Sequence, residues 1–358
     1  MAAAVGLALA LAAAGCSSSD ASGGSSPTSA DAGRTTTTAA STTTTTEPVA
    51  GAEPIGTYAV GRVEVDLVDA TRDTPANNDA PATDGRKLKT LALYPAAGEA
   101  GPSADPTVTE GAAALDGRFP MLVFSHGVTA RASFYDGELA ALASAGYVVV
   151  APDYPLSNAD SPGGPTVMDV GNQPGDASFL IDTFAEDEGA GTDPSGVVAE
   201  VAAHVDTRHI GAIGHSLGAI TSLGIGYADC CTDDRVAAVV SWAGLLLPLK
   251  GDPNPDPSVT DRPVLLIHGD ADDTVPYQSS VDAFDEIASP RWFITLPGQD
   301  HVRPYISPGL SAVATLVTTT SIDFFDAELK GEASGLSDLE AAVDAAGPSV
   351  ATLRTSGG

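Results

Sequence analysis

The segment Gly214-His215-Ser216-Leu217-Gly218 reads G-x-S-x-G, a serine framed by two glycines. A serine hydroxyl attacks a carbonyl efficiently only when a neighbouring imidazole takes its proton and a carboxylate holds that imidazole in place. The segment follows the apolar run His209 to Ile213 and opens a helical pattern from about Leu217 to Ala228. A serine on such a strand-to-helix turn is lifted clear of the sheet, and its partners then follow along the chain, the acid first and the histidine last. Of the six histidines, His126, His204, His209 and His215 precede or adjoin Ser216, and His268 precedes the acids that come after it. Elimination leaves His301, in the loop Pro297-Gly298-Gln299-Asp300-His301. The segment His268 to Pro276 offers three carboxylates, Asp270, Asp272 and Asp273. A cation loop would need D-x-D-x-D-G and a closing Glu, which this segment lacks, so no metal is expected.

The elements that must position these residues alternate. Strands are expected over Tyr58 to Val68, Leu88 to Tyr94, Pro120 to Phe124, Tyr147 to Ala151, His209 to Ile213, Val236 to Trp242, Pro263 to Ile267 and Trp292 to Leu296. Helices are expected over Ser133 to Ala145, Asp176 to Glu186, Ser195 to His204 and Leu217 to Ala228, around Val281 to Ala288, and within Leu310 to Leu329, with an irregular stretch from Pro155 to Gly175. Such alternation argues for one α/β domain whose mostly parallel central sheet is covered by helices on both faces.

The chain of 358 residues is 43% hydrophobic, enough for a sizeable core. Its 16 Lys and Arg against 47 Asp and Glu give a net charge of −31, which repels polyanions and excludes nucleic acid as a partner. The charged residues among the first 55 are only Asp20, Asp31, Glu47, Glu53 and Arg34, so the acidity belongs to the domain.

Residues 1–15 form an apolar run too short to span a bilayer and are expected to be a signal peptide. The run Ala13-Ala14-Gly15-Cys16 before Ser17, Ser18 and Ser19 resembles the lipobox of bacterial lipoproteins. The resemblance implies acylation of Cys16 and an address on the outer face of the cytoplasmic membrane, with plain secretion as the alternative. Residues 16–54 are Ser- and Thr-rich, with runs at Thr35 to Thr38 and Thr42 to Thr46, and are expected to be a flexible linker. Residues 55–330 would form the catalytic domain. Residues 331–358 would be an extension packed on it or trailing from it. With Cys16 acylated, the adjacent Cys230 and Cys231 are either free thiols in an apolar site or a vicinal disulfide that stiffens the turn before Val236.

From about Tyr58 to Leu329 the chain resembles α/β-hydrolases of the dienelactone hydrolase, chlorophyllase and platelet-activating-factor acetylhydrolase-like group. The segment from His268 to Pro276 is similar to the H-G-x-x-D-x-x-V-P segment of many serine hydrolases, which implies Asp272 as the acid, with Asp273 in reserve. Gly127-Val128-Thr129-Ala130-Arg131 with Ser133 is similar to a loop of bacterial polyester hydrolases and cutinase-like lipases. That similarity implies the backbone amide of Val128 as one oxyanion donor, beside the amide of Leu217. Val128 stands where those polyester hydrolases carry an aromatic residue, which counts against polyester cleavage, although His215 agrees with one of their options. His126 is expected to be structural.

The implied activity is carboxylesterase- or lipase-like hydrolysis of a small-molecule or lipid ester through an acyl-enzyme, by a monomer that needs no cofactor. Cys in place of Ser216 would have pointed to a dienelactone hydrolase proper and Asp to a dehalogenase. Phe134, Tyr135, Tyr154, Trp242, Leu245 and Leu246 are candidates for an apolar pocket, Phe134 and Trp242 foremost. The alternative is a surface lipoprotein that keeps the fold but binds a lipid or partner without turnover.

Overall fold

The computed structural model describes residues 57–101, 106–185, 196–249, 261–288, 290–306 and 309–356. The expected signal peptide, Cys16 and the linker lie outside the described residues.

Strand β1 (Ala59–Asp69) alternates buried Val65 and Leu67 with exposed Glu64, Asp66 and Val68, as a strand with one wet face must. It pairs antiparallel with β2 (Arg86–Ala96). The short β3 (Val108–Glu110) lies at the sheet edge, and β4 (Phe119–Ser125), β5 (Val148–Asp153), β6 (Val205–His215), β7 (Val236–Trp242), β8 (Val264–Gly269), β9 (Arg291–Leu296) and β10 (Thr352–Ser356) complete one sheet. Its order is β10-β9-β8-β7-β6-β4-β5-β2-β1-β3. The run from β5 to β9 is parallel, and the pairs β1/β2, β2/β5 and β9/β10 are antiparallel. Two of the three antiparallel pairs arise where the connection from β1 to β2 carries no helix and where the chain returns after its last helix to cover the free edge of β9.

Helices cover both faces. Leu122, Phe124, Val240 and Trp242 point to one side, against α1 (Asp136–Ser144), α6 (Ala312–Lys330) and α7 (Gly335–Ala346). Met121, Val123, Val239 and Leu266 point to the other, against α2 (Gln173–Ala185), α3 (Val197–Ala202), α4 (Leu217–Tyr227) and α5 (Gln278–Glu286). Central strands buried on both faces are continuous apolar runs, which is why they are legible in the sequence.

Some boundaries differ from expectation. The segment read as one helix from Ser133 is a 3₁₀ turn, Ala132–Tyr135, followed by α1. Strand β6 starts four residues before His209, because polar Asp206, Thr207 and Arg208 continue the strand past the apolar run, and pairing with β4 shifts register between Pro120 and Met121. Within residues 331–358, α7 packs on α6 and β10 joins the sheet, and a Cβ on Gly335 would come within 2.5 Å of the Asp323 carbonyl.

Candidate active site

Strand β6 delivers Ser216 at the mouth of α4 with φ 57° and ψ −119°, a backbone conformation that side-chain-bearing residues rarely adopt. The turn is held by the Ser216 N–H, which donates to the Trp242 carbonyl at 2.9 Å. Both flanking glycines are sterically required. A Cβ on Gly218 would sit 1.9 Å from the Ser125 carbonyl oxygen, and one on Gly214 would sit 2.3 Å from the Gly218 oxygen. Of the four non-glycine residues with positive φ among those described, three (Thr129, Ser216 and Ala243) lie just beyond the C-terminal ends of β4, β6 and β7. That is the rim at which parallel strands present chemistry.

The loop after β9 brings His301 back over the serine. His301 Nε2 lies 2.8 Å from Ser216 Oγ, and its Nδ1–H donates to Asp272 Oδ2 at 2.6 Å. Ser216 and His301 are each 7% exposed. Asp272 follows β8. Its Oδ1 accepts the N–H groups of Thr274 and Val275 at 2.8 and 2.9 Å, and its Oδ2 also accepts from His268 Nε2 at 3.0 Å. Burial pushes the Asp272 carboxyl up, but the hydrogen bonds from His268 and His301 outweigh it and hold the group well below the usual carboxylate range. The structure thus gathers Ser216, Asp272 and His301. Asp273, the reserve acid, is exposed and contacts the Thr274 hydroxyl at 3.4 Å. Asp270 accepts the Gly298 N–H at 2.6 Å, tying the β8 loop to the β9 loop.

Two histidines that chain order excludes as the base join the site from behind. Fully buried His268 reaches Asp272 through Nε2 and Ser280 Oγ through Nδ1, at 2.7 Å. Its place at the head of the His268 to Pro276 segment is the signal the sequence offers for that role. His215 Nε2–H donates to the His301 carbonyl at 2.7 Å, and its Nδ1 lies 2.8 Å from the Tyr135 hydroxyl. Burial, with the neighbouring His301 adding to it, lowers the His215 pKa to about 3. His126 makes only structural bonds, donating from Nδ1 to the Gly127 carbonyl at 2.7 Å and accepting the Tyr154 N–H at 3.0 Å.

The loop after β4 lies against Ser216, since a Cβ on Gly127 would be 3.3 Å from Ser216 Cβ. The N–H groups of Val128 and Leu217 have no acceptor among the described residues. Around them gathers an aliphatic cluster of Leu217, Ile220 and Leu249 with half-buried Val128, Val167, Val170 and Leu245. The Cys230–Cys231 disulfide borders it through Cys231. The wall that carries Val167 and Val170 is a 3₁₀ turn, Val167–Gly171, fixed from beneath by the buried Arg86, which pairs with Asp169 and Asp176 at 3.1 and 2.5 Å.

The expected pocket aromatics are placed elsewhere. Trp242 is fully buried, its ring near Phe124 and Tyr305 and its Nε1–H donating to Ser321 Oγ at 3.1 Å, because α6 covers that face of β7. Tyr135 and Tyr154 are core residues whose hydroxyls meet His215 and Ser125. Phe134 is 47% exposed beside the Arg131 guanidinium, because it sits on the outer side of the 3₁₀ turn that buries Tyr135. Leu246 packs against the core on the α4 side of the sheet, and Leu245 alone of the six joins the cluster by the serine.

A family model described as Chlorophyllase matches residues 99–171, from the end of β2 through the loop after β4 to the 3₁₀ turn by the serine. No curated protein matches the chain. Among solved structures, a ferulic acid esterase from Streptomyces cinnamoneus superposes with a TM-score of 0.61 at 22% identity, over 80% of this chain and 94% of that one. The fold is that of an α/β-hydrolase.

Proposed function

We propose that this chain is a serine hydrolase of carboxylic esters. The observation that carries the reading is the continuous line from Ser216 Oγ through both nitrogens of His301 to Asp272, at 2.8 and 2.6 Å. Ser216 Oγ attacks the ester carbonyl while His301 Nε2 takes its proton, and the resulting imidazolium is stabilised by Asp272. The oxyanion is met by the N–H groups of Val128 and Leu217, each such donor typically contributing about 2.7 to 4 kcal/mol to the transition state. His301 then protonates the departing alcohol. Water, deprotonated by the same nitrogen, releases the acid and restores the serine.

The aliphatic cluster beside the oxyanion donors favours an apolar acyl group, and the net charge of −31 favours neutral esters over anionic ones. The match to the chlorophyllase model and the likeness to a ferulic acid esterase agree with ester chemistry. Residues 1–16 support export and lipid attachment at Cys16, outside the cytoplasmic membrane.

The test is labelling with a serine-directed fluorophosphonate alongside hydrolysis of p-nitrophenyl butyrate, both lost in a folded Ser216→Ala variant. A folded native protein that neither labels nor turns over would favour the non-catalytic lipoprotein instead. Palmitate incorporation that disappears in Cys16→Ser tests the anchor.

A further inference from the structure

The bond from His301 Nδ1–H to Asp272 fixes one edge of the imidazole, but the height of the ring over Ser216 depends on where its backbone sits. That backbone is held from the nucleophile's own strand. The His301 carbonyl accepts the His215 Nε2–H at 2.7 Å, and His215 directly precedes Ser216. We infer that Tyr135 and His215 form a positioning pair that registers His301 against Ser216 and the oxyanion loop, a role that rests on the ester-hydrolase reading above.

The proton directions are forced. The His301 carbonyl can only accept, so His215 carries its proton on Nε2, and its bare Nδ1 takes the Tyr135 hydroxyl proton at 2.8 Å while the Tyr135 oxygen accepts the Gly127 N–H at 3.1 Å. Tyr135 is fully buried and His215 is 3% exposed, so water offers no substitute partner. The His215 ring packs near both His301 and Tyr305, with centroids 5.0 and 4.9 Å away, and the Tyr305 hydroxyl is anchored on the Ile267 carbonyl. Three loops, after β4, β6 and β9, are thereby locked to one another through four polar groups. Without the Tyr135 hydroxyl, the Gly127 N–H and His215 Nδ1 both lose their buried partner, and the His215 ring is tied only to the His301 carbonyl. The ring can then rotate or shift to recover a partner for Nδ1, and the loop that carries His301 moves with it.

The experiment compares Tyr135→Phe, His215→Phe and His215→Gln with the native protein, reading kcat and KM on p-nitrophenyl butyrate together with thermal unfolding. A displacement of the base by a fraction of an ångström predicts a kcat about 10- to 100-fold lower in both Phe variants, with KM within about 3-fold of native. The double variant falls no further than His215→Phe, because the pair acts as a unit. His215→Gln, whose amide donates to the carbonyl and accepts from Tyr135, recovers kcat to within about 5-fold of native. Native kcat in either Phe variant, a Gln variant as slow as His215→Phe, or additive losses in the double variant would overturn the assignment. Tyr135→Phe removes one oxygen and carries the test alone if His215→Phe fails to fold. The downfield proton resonance of the His301 Nδ1–H···Asp272 bond adds a readout that needs no turnover. It moves in Tyr135→Phe and returns in His215→Gln, and an unmoved resonance overturns the pair even if the native protein proves inert toward esters.

Discussion

Replacing Asp272 by Asn changes one atom and leaves no acceptable orientation for the new side chain. The carboxylate accepts four N–H groups, His301 Nδ1 and His268 Nε2 on Oδ2 and the Thr274 and Val275 amides on Oδ1. If the Asn NH₂ takes the Oδ2 position, it faces two imidazole donors. His301 escapes the clash only by moving its proton to Nε2, where it points at Ser216 Oγ and can no longer accept from it. If the amide turns over, the NH₂ faces two backbone N–H groups, which cannot change tautomer. The imidazole arrangement is therefore the one that relaxes, and it is the one that disables the base. The wrong tautomer in a triad of this kind costs about 10⁴ in kcat, or roughly 5 kcal/mol of barrier. A buried donor left without an acceptor adds about 1–3 kcal/mol of lost stability. Asp273→Asn, at an exposed side chain touching one hydroxyl, stays within about 0.5 kcal/mol and about 2-fold of native activity. The assay is kcat on a p-nitrophenyl ester with unfolding measured in parallel. An Asp272→Asn variant with a tenth or more of native kcat would refute the reasoning, and a larger loss in Asp273→Asn would move the acid to that residue.

Trp242→Phe lowers stability by about 1–3 kcal/mol through lost volume and the lost bond to Ser321, yet leaves KM unchanged, and a raised KM would return Trp242 to the substrate pocket. Asp323 on α6 is pushed up from 3.8 to about 7 by burial, with Asp326 and Asp338 adding to the shift. Between about pH 4 and 7 the folded protein keeps a proton there that the unfolded chain has lost, so this contribution to stability fades as pH rises. Asp323→Asn, neutral throughout, should therefore gain on native as pH goes from 5 to 8, on the order of 2 kcal/mol once screening at a half-buried site is allowed for. A difference that is flat in pH would refute this. Alkylation of the unreduced protein should leave Cys230 and Cys231 unmodified, and two alkylated cysteines in the peptide from Tyr227 to Arg235 would show that the bridge is absent.

Ser216, Asp272 and His301, which the structure brings within hydrogen-bond reach, are legible as candidates in the amino-acid sequence because their signals are local. Glycines at 214 and 218 stand two residues either side of Ser216, a spacing that is read directly although the backbone that Gly218 meets is that of Ser125, and the central strands bury both faces and so announce themselves as unbroken apolar runs. Elimination among six histidines then needs only chain order to reach His301. What the sequence does not convey is which side of the sheet each aromatic faces and what covers it. Tyr135, Tyr154 and Trp242 read as pocket residues by type, but helices distant in the chain close over them, and each hydroxyl or indole N–H finds its partner inside. The same holds for the groups packed around His301 and the neighbouring loops. His215 meets Tyr135 across 80 positions and the His301 carbonyl across 86, and Arg86 meets Asp176 across 90. A hydrogen bond over such a separation leaves no periodicity or spacing in the chain. It exists only once packing has brought the partners within about 3 Å and removed the water that would otherwise have satisfied them.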